Sequence, residues 1–525
     1  MIYDDYIQYA DEFREKYGEK TVVLIQVGDF FELYGVQNDQ ETRGADMYTV
    51  GDICNLTVTR KNKQVLENSR TNPLMAGFPL HALHKHAQAL LDNDYNVVII
   101  RQVTPPPNPR REVTEILSPS TNVAPAHQES NYLVAFFCEK IAGVAVIGIA
   151  GADVSTGSTF CYEAAASNSD PSRAYDEAYR VLQSYQPKEV VLLGNKDEIA
   201  ESLLCSSSSQ HLTFHKRWTA APKLPYQNEV LRKVFGNVCA ASMMSPIEAA
   251  GLDRMDSGRS AFVLLIAFIF EHNDLIVKRL QPPHIIDNNR HLILEYNSAV
   301  QLNLLPSLPG DKALVNILNK CCTAFGSRLF KERLLEPLVN PDEIRGRYDR
   351  IDQVMKSRTT HQIRKALRNI NDIQRLARKM ALGTLSPLEW HAFHCSLQYA
   401  KAAAEYDQTY QSHDVVRIIT DLEDAYTTTL SIEECAKYTL VDIKGSVFQR
   451  GTFTEIDAIE DNIRAAFSRL DAIAALITAF DTTGGESCLC RVDSNERDGY
   501  FLQITKKRWE CAVGRGLDSR KYVTK

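Results

Sequence analysis

This 525-residue sequence predicts a multidomain protein in which mixed α/β units are followed by a long helical region. Three observations carry that prediction. Tyr6, Tyr9, Phe13 and Tyr17 recur at helical spacing and are followed by the strand-like run Val22 to Val27, so a helix precedes a strand. A second β-rich stretch contains YLVAFF, VAVIGIAGADVSTG, TFCYEA and EVVLLG, with turn residues between its segments. From about Leu231 onward helical patterns run without strands between them, which suits a scaffold or a set of levers better than a catalytic sheet.

At ~150 residues per domain the length allows three or four domains and a substantial core. Hydrophobic, charged and aromatic fractions of 44%, 24% and 9% are those of an ordinary globular protein. A formal charge of -7 excludes a uniformly basic nucleic-acid coat, so any polyanion must be met by local patches. The twelve cysteines form no CxxC pair; Cys321-Cys322 and Cys488-x-Cys490 are the closest spacings. Buried, reduced thiols of an intracellular protein are expected. The N-terminus, MIYDDYIQYADEF, is acidic and lacks the apolar stretch of a secretory signal. The longest apolar run, Ala261 to Phe270, is about half the length needed to cross a bilayer and is expected to be a buried core helix, with no membrane partner.

In chain order, the first ~125 residues read as a small α/β domain. A helix is expected from Pro79 through Leu83, Ala87 and Leu90, then a strand over Asn96 to Ile100 and a stiff loop over Pro105 to Pro109. The second α/β unit adds a helix around Tyr175 to Ser184 before EVVLLG, and Ser206 to Gln210 and Thr219 to Pro225 mark its exit. Ser245-Pro-Ile-Glu248, Asn340-Pro-Asp-Glu343 and Ser386-Pro-Leu-Glu389 each supply a capping oxygen, a first-turn proline and a glutamate able to reach back to the cap. No fixed-period repeat is evident.

Enzyme signatures are missing from the sequence: it contains no GxxxxGK[ST] loop, no helix-opening GxGxxG, no HExxH and no GxSxG. His81, His84 and His86 cluster without a neighbouring carboxylate or thiol, so surface or packing roles are favoured over metal binding, as they are for His391, His394 and Cys395. Asp153 stands where a strand meets a turn. A two-metal nuclease of the RNase H type would use such a carboxylate, but a turn aspartate bonding its own backbone is favoured. Near the chain end Lys506, Lys507, Arg508, Arg515, Arg520, Lys521 and Lys525 face only Glu510 and Asp518; this is either a phosphate-contacting patch or a solvated end. In VVLIQVGDFFELY two readings stay open. One phenylalanine enters the core while Glu32 faces water, or one is an exposed wedge beside a hydrogen-bonding carboxylate, suited to prying into a base stack.

VLIQVGDFFELYG resembles the GDFYELF-type motif of the MutS family of DNA mismatch-repair proteins. The resemblance continues in order through DICNLTVTRK (52–61), PLMAGFPLHAL (73–83), ILSPST (116–121), ADVSTGSTF, LEYNSAVQLNLL, TAFGSRLFKERLLEPLVNPDEI, DIQRLARKMALGTLSPLEW, FTEIDAIEDNIRAA and GYFLQITKK. In ILSPST, Ser118 and Ser120 replace residues of the family's usual turn. The resemblance implies a mismatch-binding domain over 1–125, an RNase H-like connector over 126–225, a core and lever helical domain over 226–454 and a clamp region over 455–525. It implies binding of mispaired or looped double-stranded DNA by wedge insertion and kinking, with Phe30 as wedge, Phe31 as its packing partner and Glu32 as the acceptor for a displaced base. Arg60, Lys61 and Lys63, and Lys506, Lys507 and Arg508, become candidate contacts to the DNA backbone. The family also implies a dimer, a MutL-type partner and an intracellular setting wherever the DNA is. Its ABC-type ATPase domain, with ATP and Mg2+, lies beyond the clamp; this sequence stops at Lys525 within the clamp-like segment, so a truncated form without enzyme activity, cofactor or metal is expected. A MutS-like branched-DNA or recombination protein and an RNase H-like nuclease are the alternatives.

Overall fold

The computed structural model describes the chain except residues 1, 39, 66, 105–108, 124–128, 194–210, 215–222, 241–243, 288–289, 293, 295, 307–310, 408–409, 440–442, 444, 480–489, 496–498, 519, 521 and 523–525. Most of the expected proline loop at 105–109, the Ser206 to Gln210 run, and Lys521 and Lys525 thus lie outside the described residues. The chain divides into two compact units, Met1–Leu385 with Cys395–Val416, and Ser386–His394 with Arg417–Lys525.

In the first unit, β1 (Thr21–Val27), β2 (Phe30–Gln37), β3 (Thr42–Gly44), β4 (Thr59–Arg60), β5 (Leu74–Pro79), β6 (Asn96–Gln102) and β7 (Arg111–Leu117) form one sheet. Its order is β4-β5-β2-β1-β6-β7, with β3 on β2. β1 is central, parallel to β6 and antiparallel to β2. It is apolar on both sides because helices cover both faces. α1 (Ile2–Tyr17) packs Tyr6, Phe13 and Tyr17 over Val23, Ile25, Tyr34, Val98 and Ile100. On the other face, α2 (Met47–Cys54) and α3 (Leu83–Leu91) enclose Leu24, Phe31, Leu33, Phe78 and Ile99. The expected helix start at Pro79 is corrected: Pro79 is the last residue of β5, opposite Phe30, and a 3-10 turn over Leu80–Ala82 leads into α3. With an extended backbone (ψ 152°) and no N–H to donate, proline suits a strand end as well as a helix start.

A second sheet has the order β12-β11-β8-β9-β10-β13. These strands are β8 (Tyr132–Ile141), β9 (Val144–Asp153), β10 (Ser158–Ala165), β11 (Glu189–Leu193), β12 (His211–Phe214) and β13 (His284–Ile285). Ala142 and Gly143 join β8 to β9 with φ of 52° and 83°, the two positive values a type I′ hairpin requires. α4 (Arg173–Tyr185) covers one face. The other is covered by α5 (Leu224–Ala240) and α6 (Asp256–His272), whose Phe262 to Ile269 are buried as expected, although Phe270 turns outward. Carboxylates of the sheet hold the start of α6: the Ser257 and Gly258 amides donate to Glu163 at 2.8 and 2.9 Å, and the Ser257 hydroxyl donates to Glu139 at 2.5 Å. Gly148 makes this approach possible, since a Cβ there would overlap the Ser257 carbonyl. Gly148→Ala is therefore expected to cost about 1–3 kcal/mol or more of stability, read as a lowered midpoint in urea.

Helices Ala324–Leu335, Pro341–Ser357, Thr360–Leu367 and Ile373–Ala381 follow. Arg328 grips Asp372 with two bonds of 2.7 and 2.8 Å. Arg378, 3% exposed, donates to the carbonyls of Val154 (3.2 Å), Lys278 (2.8 Å) and Ile276. Burial pulls its guanidinium down to about 10, against the attraction of Asp153. Ser245 and Ser386 form the expected reciprocal caps with Glu248 and Glu389. At the third start the expected cap and proline are present, with Asn340 accepting from the Asp342 amide, but the glutamate is corrected: Glu343 pairs with Arg290 at 3.0 Å instead of reaching back to the cap.

In the second unit Trp390, Phe393 and His394 surround Tyr426. A 26-residue helix, Thr454–Ala479, precedes the hairpin of Arg491–Asn495 with Gly499–Gln503 and the helix Lys506–Gly514, around a core of Ala474, Ile477, Cys490, Ala512 and Leu517. Among the described cysteines Cys54, Cys161, Cys435 and Cys490 are buried thiols, whereas Cys321 is exposed. No helix among the described residues is long and apolar enough to cross a membrane.

Candidate functional site

The site is built on the β1–β2 hairpin. Gly28, at φ +59°, takes the first position of a two-residue turn, where a positive φ selects glycine. The turn is braced from outside the hairpin, because the Leu80 amide donates to the Asp29 carbonyl at 3.0 Å. Phe30 follows as the first residue of β2 and is 48% exposed, while Phe31 is 0% exposed. The Phe31 ring lies 6.1 Å from that of Phe78, with the Arg101 guanidinium 5.6 Å above it. Strand alternation returns Glu32 to the face of Phe30. There its carboxylate accepts a hydrogen bond from the Tyr34 hydroxyl. Burial, and then Glu32 itself, push the Tyr34 hydroxyl's pKa upward, so it stays a donor at neutral pH.

Gly77 stands opposite Glu32 on β5. A Cβ there would lie 2.9 Å from the Phe31 carbonyl oxygen and 3.3 Å from Glu32 Cγ, so only glycine leaves Glu32 its room without displacement. The same face carries Arg111, whose Nε donates to the Gln26 carbonyl at 3.0 Å. Sequence reasoning missed Arg111 and Gly77.

His86 packs its ring 4.2 Å from that of Phe78, and His81 and His84 are exposed. Asp153 accepts from the Ser155 amide and hydroxyl at 3.0 and 2.6 Å, the turn role expected for it. Among the described residues no group of three or more His, Cys, Asp or Glu side chains is placed to hold a metal.

Residues 6–125, which contain this hairpin, match the family model for MutS domain I, and residues 297–483 match that for MutS domain III. Two MutS-family domains are present in the chain. A DNA mismatch repair protein mutS homolog of Acanthamoeba polyphaga mimivirus is 26% identical over 578 residues, covering 100% of this chain and 51% of its own. The DNA mismatch repair proteins MutS of Thermodesulfovibrio yellowstonii and of an Exiguobacterium species are 23% and 25% identical, covering 94% and 92% of this chain and 53% and 52% of theirs. The chain spans about half the length of the curated relatives it matches.

Within MutS domain I the hairpin brings Phe30 and Glu32 together, but the basic candidates lie elsewhere. Arg60 pairs with Leu74, at the end of β5 opposite Pro79, which faces Phe30. Five residues of strand at about 3.3 Å each put them roughly 16 Å apart. Lys61 and Lys63 follow, both exposed, with the Lys61 amide donating to the Pro73 carbonyl. In the second unit, Lys506, Lys507 and Arg508 are exposed in the first turn of Lys506–Gly514, after Thr505, whose side chain makes no capping bond. Three cations at the positive end of a helix oppose its dipole, an arrangement that favours an anion over bare solvent.

Proposed function

We propose that this chain binds double-stranded DNA at mispaired or looped steps, with Phe30 entering the base stack from the minor groove and Glu32 accepting a hydrogen bond from the displaced base. One observation carries the reading: Phe30 projects from a rigid hairpin tip on the same face as Glu32, while its neighbour Phe31 is fully buried. A mispaired step is more easily unstacked and kinked than a matched one, so a wedge discriminates by deformability, and the carboxylate adds a test of the freed base edge. Arg111 supplies a cation on that face. Arg60, Lys61 and Lys63, and Lys506, Lys507 and Arg508, act as phosphate contacts that set register without reading sequence. A protein of net charge -7 then meets DNA through local patches.

On this reading residues 1–125 form the mismatch-binding domain and the second sheet the connector; α5 and α6, expected within the core and lever region, pack on that sheet and are assigned to the connector with it. The helices beyond, to residue 454, form core and levers, and residues 455–525 form the clamp. Dimer formation, a MutL-type partner, and ATP-driven steps with Mg2+ belong to the longer protein that the relatives' lengths suggest. The test is a competition gel shift with the 525-residue chain on otherwise identical matched and single-mismatch duplexes. At least tenfold preference for the mismatch is expected, the order of ~1–3 kcal/mol gained by stacking one aromatic ring on a base. Equal affinity for the two duplexes would overturn the reading.

A further inference from the structure

We infer that Tyr34 is a positioning residue for Glu32, holding its carboxylate in the orientation from which it meets a displaced base. The inference rests on the mismatch-binding role proposed for Glu32. Three observations carry it. The Tyr34 ring is locked by α1, edge-on to Tyr6 at 5.4 Å and to Tyr3 at 6.3 Å, so its hydroxyl is a fixed donor at the margin of the core. That hydroxyl donates a hydrogen bond to the Glu32 carboxylate across one strand repeat of the same face. Gly77 opens the space beside Glu32 Cγ, which allows the side chain to lie along the strand toward Tyr34.

A glutamate on a half-exposed strand end otherwise samples many rotamers, and ordering it on binding DNA costs free energy. The bond to Tyr34 makes that ordering intrinsic to the free protein. It engages part of one carboxylate's acceptor capacity, about four lone-pair sites in all, and leaves the rest for a base. In the GDFYELF-type spelling a phenylalanine stands where this chain has Tyr34, so the hydroxyl is a feature of this chain's own sequence, and Tyr34→Phe keeps a ring that the fold accommodates.

The experiment is a double-mutant cycle in the 525-residue chain with Tyr34→Phe, Glu32→Ala and the double variant. Each is read as the ratio of affinities for single-mismatch and matched duplexes, beside a thermal melt. Tyr34→Phe is expected to lower the ratio about three- to tenfold, the net contribution of one ordinary hydrogen bond, with an unchanged melting temperature. In the Glu32→Ala background the same substitution is expected to leave the ratio unchanged, a non-additivity that a merely structural hydroxyl would not produce. If Glu32→Ala lowers the ratio but Tyr34→Phe does not, or if the two effects simply add, the positioning role is overturned alone. If Glu32→Ala leaves the ratio unchanged, the base-contact role of Glu32 falls, and the inference with it.

Discussion

Phe30→Ala is expected to erase the preference for a mispaired duplex while leaving weaker, salt-sensitive binding to any duplex. Phe30 is half in solvent, pairs through its backbone with Val27 and Pro79, and heads a strand whose neighbours carry the core. Its truncation should therefore shift stability by no more than about 0.5–1 kcal/mol, and any larger change in binding is a change at the interface. Losing base–aromatic stacking removes about 1–3 kcal/mol from the mismatched complex, whereas the phosphate contacts remain and keep their dependence on salt. Side-by-side competition gel shifts with variant and parent check this. A mismatch-to-match ratio equal in the two would remove Phe30 from the wedge role, and a fall in both affinities together would make it a general DNA contact.

The second large effect concerns stability. Arg378→Ala is expected to destabilise the first unit by about 3 kcal/mol or more, because the carbonyls of Val154, Ile276 and Lys278 lose a charged donor and each buried acceptor left unpaired costs about 1–3 kcal/mol. Those carbonyls belong to the turn after β9 and to the chain beyond α6, so one side chain ties Ile373–Ala381 to two distant segments. A Cβ added at Gly157, whose φ is +80°, would lie 3.2 Å from Arg378 Cδ, so the turn itself is shaped around the arginine. Urea unfolding should show a reduced midpoint for Arg378→Ala and a partial return for Arg378→Lys, whose ammonium has donors but not the planar fork needed for three carbonyls. A midpoint within error of the parent would show that water satisfies those acceptors.

Much of the hairpin was legible because its signals are local. The apolar run Val22 to Val27, a glycine at a tight turn and the period of two that puts Phe30 and Glu32 on one face all lie within a dozen residues. Which phenylalanine is buried was not local. It depends on α3 and β5 delivering Phe78, and on Arg101 crossing from β6. Arg111 escaped notice for the same reason: its partner, the Gln26 carbonyl, is 85 residues away and reachable only once β1, β6 and β7 are in register. Nothing in the local sequence marks Arg378 as buried, and only the tertiary fold encloses it. The apolar pattern identified α6 as a core helix, but gave no sign that it would pack on the second sheet. That placement depends on Gly148, Glu139 and Glu163, side chains with no shared period.

The brace between the Leu80 amide and the Asp29 carbonyl has a mechanical meaning. A blade can pry only what is more compliant than its own mounting. Smoothly bending a short duplex by tens of degrees costs of order 1–6 kcal/mol, and a mispaired step yields for less. A free two-residue tip would flex under such a load and share the strain. Here the tip is anchored to the sheet on both sides, by the register with β1 and by the chain leaving β5. On the proposed wedge role, the reaction force on Phe30 would pass into a seven-stranded sheet, and the stiffness of that sheet would set how soft a step must be before it gives way.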